Sequence, residues 1–190
     1  MIELPIDEVF DISGWDIKKA LKLLYKSNPS LLEWFASPIV YKETKEASYI
    51  KEVISSYFSK KKLYCHYKRM ANMHLKYVNK GKVPVKKYLY IVRCILFSQY
   101  ILEYKKQPPI EIEKLIEYEL PKELKEDVNS LLMIKKSSNE KQYVDHISSL
   151  DEFIMNSLKE NMPFIEDREV SWDRLNDVFR LIIDAYQKSV

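Results

Sequence analysis

The sequence predicts a mainly α-helical protein, a helical bundle with one short N-terminal strand. Glycine occurs only twice in 190 residues, as Gly14 and Gly81, where average usage predicts about thirteen. Glycine supplies the positive φ angles of tight hairpins and the close backbone approach of phosphate-binding loops, so this chain has few of either. Apolar residues make up 46% of the chain, which favours a packed core and excludes a disordered protein.

The first dozen residues differ in pattern from the rest. The run Val9–Ile12 is strand-like, and its Asp11 stands between two apolar neighbours. A single strand is not stable alone. We therefore expect residues 1–12 to be the remaining strand of a larger sheet, whose other strands this chain hardly provides.

Apolar stripes of helical period, separated by Pro, Gly and polar breaks, predict nine helices after that strand. Ser13 to Asp16 has the spacing of a capping box, with Asp16 in the N3 role. The helix from about 85 to 104 is apolar nearly all round, which predicts that it is the central, buried helix. The predicted helices run from the capping box to about 24, and over about 30–36, 47–58, 61–79, 85–104, 110–118, 122–136, 150–160 and 172–188.

A polar loop at residues 137–142 is the predicted hinge. It separates a helical domain at 13–136 from C-terminal helices at 143–190, which we expect to pack on that domain. The net charge of +3 points to no particular partner. The absence of a signal-like segment and of any apolar stretch near 18 residues predicts a cytoplasmic protein without a membrane role.

The buried helix carries the first candidate site. Lys86, Tyr90 and Arg93 lie at positions i, i+4 and i+7, so they share one stripe, with Lys87 beside it. Two cations on an otherwise buried helix need an anion, because an unpaired buried charge costs several kcal/mol. The stripe therefore binds an anionic ligand such as a nucleoside triphosphate, or it forms internal ion pairs with acids such as Glu33 or Glu103.

Three histidines are the other candidates for chemistry. His74 lies on the core stripe of the helix from 61 to 79, and His66 lies at the edge of that stripe. Histidines in such positions are more often hydrogen-bonded core residues than catalysts. Neither has a metal-ligand partner at i+4, and His146 is isolated in a predicted loop.

Several dispersed motifs, in order, resemble a family of predicted nucleotidyltransferases of the DNA polymerase beta superfamily, the one associated with RNA repair. The resemblance is strong over about the first hundred residues and looser through residues 150–154. The motifs are Asp11-Ile-Ser-Gly-Trp-Asp-Ile-Lys-Lys-Ala-Leu, Lys26-Ser-Asn-Pro-Ser-Leu-Leu-Glu-Trp-Phe-Ala-Ser-Pro-Ile-Val-Tyr, His66-Tyr67 with Met70-Ala71, and Lys86-Lys-Tyr-Leu-Tyr-Ile-Val-Arg93.

The resemblance implies metal-dependent transfer of a nucleotidyl group from a nucleoside triphosphate, with RNA as a possible acceptor. In that superfamily a Gly-Ser turn holds the triphosphate and three carboxylates hold two Mg²⁺ ions. Asp11 matches the third carboxylate, which makes it the expected catalytic and metal-binding residue. Lys86 or Lys87, Tyr90 and Arg93 then form the helical wall of a nucleotide cleft, with His66 and His74 lining it.

The chain departs from the family pattern where catalysis is concerned. It contains no Gly-Ser pair, and the paired carboxylates would precede residue 1. We therefore expect the C-terminal, helical part of such an enzyme, inactive alone. His74, Cys94 and Tyr100 replace the usual Asn, Pro and Trp of the family. The alternative is a non-enzymatic helical module that binds a protein partner or dimerises through the exposed strand.

Overall fold

A computed structural model describes residues 2–5, 11–78, 81–137, 141–167 and 170–187. The predicted mainly helical fold is confirmed, with nine α-helices and four short strands in these ranges. None of these helices has the length and apolar character needed to cross a bilayer. In chain order the elements are β1 (Ile2–Pro5), β2 (Asp11–Gly14), α1 (Ile17–Tyr25), α2 (Pro29–Phe35), α3 (Lys45–Ser56), α4 (Lys60–Leu75), β3 (Val83–Pro84), α5 (Val85–Tyr104), α6 (Ile112–Glu119), α7 (Lys125–Ser137) after a 3₁₀ turn at Lys122–Leu124, β4 (Tyr143–Val144), α8 (Ser148–Lys159) and α9 (Trp172–Gln187).

The contacts divide the chain into two compact units. The hairpin unit comprises Met1–Ser59 and Asp167–Val190, and the central unit comprises Lys60–Glu166. These limits differ from the predicted ones, because α9 packs on α1 and α3 whereas α8 packs on α4 and α5. Helical periodicity shows that a helix has a buried face, but it does not show which helix covers that face.

The N-terminal strand has its partner within the chain, so the expectation that this partner lies elsewhere is wrong. Asp11–Gly14 pairs antiparallel with Ile2–Pro5, with Leu4 opposite Ile12. Val9 and Phe10 of the predicted strand lie outside the described residues. The short run from Ile2 to Pro5 mixes apolar and acidic residues, a pattern too brief to distinguish a strand from a loop by periodicity.

The first helix begins later than the capping box predicts. Ser13 belongs to β2, and Asp16 is the N-cap of α1, where its Oδ1 accepts a hydrogen bond from the Lys19 N–H at 3.0 Å. Asp and Ser are comparable N-caps, so spacing alone does not choose between them. Asn28 caps α2 in the same way, by accepting from the Leu31 N–H at 3.3 Å.

The central unit is built around α5, as its apolar sequence predicts. This helix contacts α4, α6, α7 and α8. Ile91 and Ile95 are fully buried, and each such side chain stabilises the fold by roughly 1.5–3 kcal/mol relative to an exposed one. Residues 138–140 of the predicted hinge lie outside the described residues, and both flanks of that loop belong to the central unit. The division into units therefore does not fall there.

A polar cluster joins α8 to α5. The buried Tyr88 hydroxyl donates to Asp151 Oδ1 and accepts from the Ile147 N–H at 3.3 Å. His146 Nδ1 lies 2.7 Å from the other oxygen of Asp151. The prediction that His146 is isolated is therefore wrong, because chain folding brings it beside a carboxylate five residues away.

Candidate functional site

A groove of about 460 Å³ runs along α5 in the central unit. One wall is α5, and the other is formed by α6, the residues just before it, and α7. The α5 wall contributes Lys86, Leu89, Tyr90 and Arg93, and the opposite wall contributes Ile110, Glu111, Ile112, Glu113, Leu132 and Lys135.

Three of the residues predicted to bind substrate line this groove together. Lys86, Tyr90 and Arg93 face it because their spacing places them on one stripe of α5. Arg93 extends over the Phe97 ring, with its guanidinium carbon 4.6 Å from the ring centroid. A guanidinium at this distance from an aromatic ring makes a favourable cation–π contact.

Lys135 of α7 is a lining residue that the sequence reasoning missed. It lies one turn after Leu132, which also lines the groove, so the periodicity of α7 carries a signal for it. Only packing of α7 against α5 brings Lys135 to the same groove as Lys86 and Arg93. The groove thus carries three cations from two helices.

The two acids of the groove have lysine partners of their own. Glu111 Oε1 lies 2.9 Å from Lys114 Nζ, and Glu113 Oε1 lies 3.8 Å from Lys136 Nζ. The hydrogen bond from Lys114 holds the pKa of Glu111 below its usual value. Each acid of the groove therefore lies beside a lysine that does not itself line the groove. Burial raises the pKa of Glu119, and the charge of Glu103, the ion-pair partner considered for the α5 cations, raises it further. Glu103 lies near the opposite end of α5 from Lys86.

Two further predicted residues, Lys87 and His74, lie on a second face, which meets the groove at Tyr90. The His74 ring meets the Tyr90 ring edge-on, with centroids 4.6 Å apart, and stacks near Tyr77 at 5.8 Å. Lys87 Nζ lies 5.1 Å from the Tyr77 ring centroid. The structure thus divides the predicted set, with Lys86 and Arg93 in the groove and Lys87 and His74 beside Tyr77.

His74 is held in the neutral form. Burial lowers the pKa of its ring first, and the charges of Lys87 and Lys76 lower it further. Its Nδ1 is buried and has no hydrogen-bond partner among the residues that the structure describes. His66 is half-buried in α4 and is not among the residues that line the groove.

Asp11 lies in the hairpin unit, at the first position of β2 and opposite Pro5. Its side-chain surroundings fall outside what the structure describes. Within the described ranges, no group of three or more His, Cys, Asp or Glu side chains is placed to hold a metal ion.

The structure thus combines a mainly helical fold with a groove on its central helix that three cations line. The chain belongs to RlaP, the RNA repair pathway DNA polymerase beta family, whose model matches residues 1–181. This match extends beyond the region of strong resemblance and includes β1, β2 and most of α9. The family places the chain in a nucleotidyltransferase-like superfamily.

One curated relative is an uncharacterized protein, YcgL of Bacillus subtilis (strain 168). It is 32% identical over 192 residues, which cover 99% of this chain and 74% of the relative. No solved structure matches the chain.

Proposed function

We propose that the groove along α5 binds the nucleoside triphosphate of a metal-dependent nucleotidyl transfer. The chain then supplies the substrate-side helical wall of the enzyme. The observation that carries this proposal is the convergence of Lys86, Arg93 and Lys135 from two helices on one groove that also contains Tyr90. Cationic side chains commonly bind a triphosphate, and an aromatic ring commonly packs against a flat base.

Each lining residue has a distinct role in this proposal. Arg93 presents a planar fork that can donate two parallel hydrogen bonds to phosphate oxygens. Lys86 and Lys135 act as compact charges on either wall. Tyr90 offers a ring to the base or sugar, and Leu89 and Leu132 provide the apolar surface beside it.

Magnesium belongs to the proposal through Asp11 alone. Its strand position matches the third carboxylate of the superfamily, and one carboxylate does not complete a two-metal site. The proposal takes the other ligands from outside the described residues. When bound, magnesium supplies charge stabilisation for the phosphates. We further propose an RNA end as the acceptor, on the basis of the family's description.

The test is nucleotide binding to the purified 190-residue chain, measured by isothermal titration calorimetry with ATP, GTP, CTP and UTP, with and without Mg²⁺. Arg93→Ala removes a charge-assisted contact worth about 1.5–3 kcal/mol, so Kd should rise by roughly tenfold or more. Arg69→Ala is the matched control, because Arg69 is an exposed arginine of α4 that does not line the groove. It should bind as the unchanged chain does.

Two results would contradict the proposal. One is the absence of binding for all four nucleotides, and the other is equal weakening by Arg93→Ala and Arg69→Ala, which would indicate nonspecific charge attraction. Arg93→Lys separates charge from geometry, since lysine retains the charge and loses the bidentate fork. Intermediate binding by this variant is expected.

An interaction module is the second candidate, favoured by exposed apolar residues in the hairpin unit. Ile39, Val40 and Tyr41 follow one another between α2 and α3 with exposed fractions of 67%, 51% and 94%. Within the described ranges the hairpin has only two strands, so each strand has an edge without a backbone partner. Dimerisation through β2 would be seen by light scattering at two protein concentrations, and Ile12→Lys should abolish it.

A further inference from the structure

A second cationic surface lies at the turn that follows α4. Lys76 Nζ is 5.4 Å and Lys87 Nζ is 5.1 Å from the centroid of the Tyr77 ring. Both ammonium groups therefore lie near the same aromatic ring. The turn itself is held by hydrogen bonds from the Tyr77 N–H to the His74 carbonyl and from the Val78 N–H to the Leu75 carbonyl, both 2.9 Å long.

No acid neutralises these two lysines within the part of the chain that the structure describes. The ion pairs there involve other lysines, and neither Lys76 nor Lys87 has a carboxylate partner. The two lysines also act on His74. Burial is the main cause that lowers the pKa of this histidine, and the charges of Lys87 and Lys76 lower it further. Two like charges beside one ring favour a counter-charge from a ligand. The lack of an acidic partner among the described residues therefore favours binding of an anion at this surface.

We propose that Lys76 and Lys87 form a second anion site beside His74, which takes a phosphate group at Tyr77 and across Tyr90 from the groove. The two lysines donate charge-assisted hydrogen bonds to the phosphate oxygens. The His74 ring lies against Tyr77 and Tyr90 beside these lysines, so its signals report on a bound phosphate. The ligand class is inorganic phosphate or a phosphate monoester.

Helix geometry separates this site from the groove. Lys86 and Lys87 are neighbours in the sequence, and successive residues of an α-helix point about 100° apart. Lys86 therefore lines the groove, while Lys87 lies over Tyr77 on the α4 side. The second site does not depend on the proposed nucleotide function, since neither of its lysines lines the groove.

The adjacent lysines give a matched pair of variants, Lys87→Ala and Lys86→Ala, which make the same chemical change one residue apart. The chain has three histidines, so the ring signals of His74 can be followed by NMR and assigned with a His74→Gln variant. The probe is inorganic phosphate, titrated at constant ionic strength against sodium chloride. A parallel titration with phenyl phosphate tests whether a monoester is preferred.

The unchanged chain and Lys86→Ala should show a saturable shift of the His74 signal with phosphate and none with chloride. Lys87→Ala and Lys76→Ala should weaken phosphate binding by about tenfold. Circular dichroism confirms that each variant is folded. A shift that is linear, equal with chloride, absent from the unchanged chain, or equal in Lys87→Ala and Lys86→Ala overturns the site. Nucleotide binding to the groove is measured separately with Arg93→Ala, so either proposal can fail alone.

Discussion

Replacing Tyr88 by phenylalanine tests the polar cluster that joins α8 to α5. The hydroxyl is fully buried, donates to Asp151 and accepts from the Ile147 N–H. The substitution removes only the hydroxyl oxygen and its hydrogen, so the packing of the ring on α5 is retained. The variant loses the hydrogen bond to the Asp151 carboxylate, and the Ile147 N–H loses its acceptor.

The expected cost follows from these two contacts. A hydrogen bond to a charged group contributes about 1.5–3 kcal/mol, and a buried donor left without a partner costs about as much again in the unfavourable case. Asp151 keeps its contact with His146 at 2.7 Å, which limits the loss. We expect Tyr88→Phe to lower the free energy of unfolding by about 2 kcal/mol at pH 7.

The loss should depend on pH in a defined direction. Burial, followed by the hydrogen bond to Asp151, raises the pKa of Tyr88 well above its ordinary value of 10.0. The stabilisation is thus fully present below pH 10, and it declines above that pH because the unfolded tyrosine ionises while the folded one stays protonated. The difference between the unchanged chain and Tyr88→Phe should therefore narrow as pH rises above 10.

Urea denaturation followed by far-ultraviolet circular dichroism measures this difference at pH 7, 9 and 11. The two proteins share all their other tyrosines, so the difference between their free energies of unfolding isolates the effect of Tyr88. A loss under about 0.5 kcal/mol at pH 7 would refute the argument, since that is the range of inconsequential surface changes. So would a difference that stays constant to pH 11.

Two further predictions concern helix ends. Asp16→Ala should cost about 1 kcal/mol in urea denaturation, because it leaves the Lys19 N–H without its cap, whereas Asp16→Asn should cost little; equal losses would disprove capping. Burial and then the charge of Glu103 raise the pKa of Glu119 above its ordinary value of 4.5. The contribution of Glu119 to folding stability is therefore fully present below pH 4.5 and is lost as pH rises. Glu119→Gln should reduce the loss of stability that occurs as pH rises above 4.5. Glu117→Gln, an exposed change on the same helix, should leave that loss unaltered.

The sequence predicts the local structure well where one physical signal dominates. The α5 bounds, Val85–Tyr104, agree with the prediction because the run is apolar all round and Pro84 stands immediately before it. The predicted stripe of Lys86, Tyr90 and Arg93 lies along the groove because spacing on one helix determines which side chains share a face. The family is likewise readable from dispersed motifs.

The sequence alone determined that the protein is mainly helical, which helix is central, and which residues of α5 share a stripe. Tertiary structure decided what faces that stripe. Lys135 reaches the groove, and Lys87 and His74 lie on the other side of Tyr90, because helix packing brings distant segments together. Periodicity records the direction of a side chain from its own helix axis, whereas a site depends on the distance between side chains of different helices. That distance is set by packing, which no single stretch of sequence encodes.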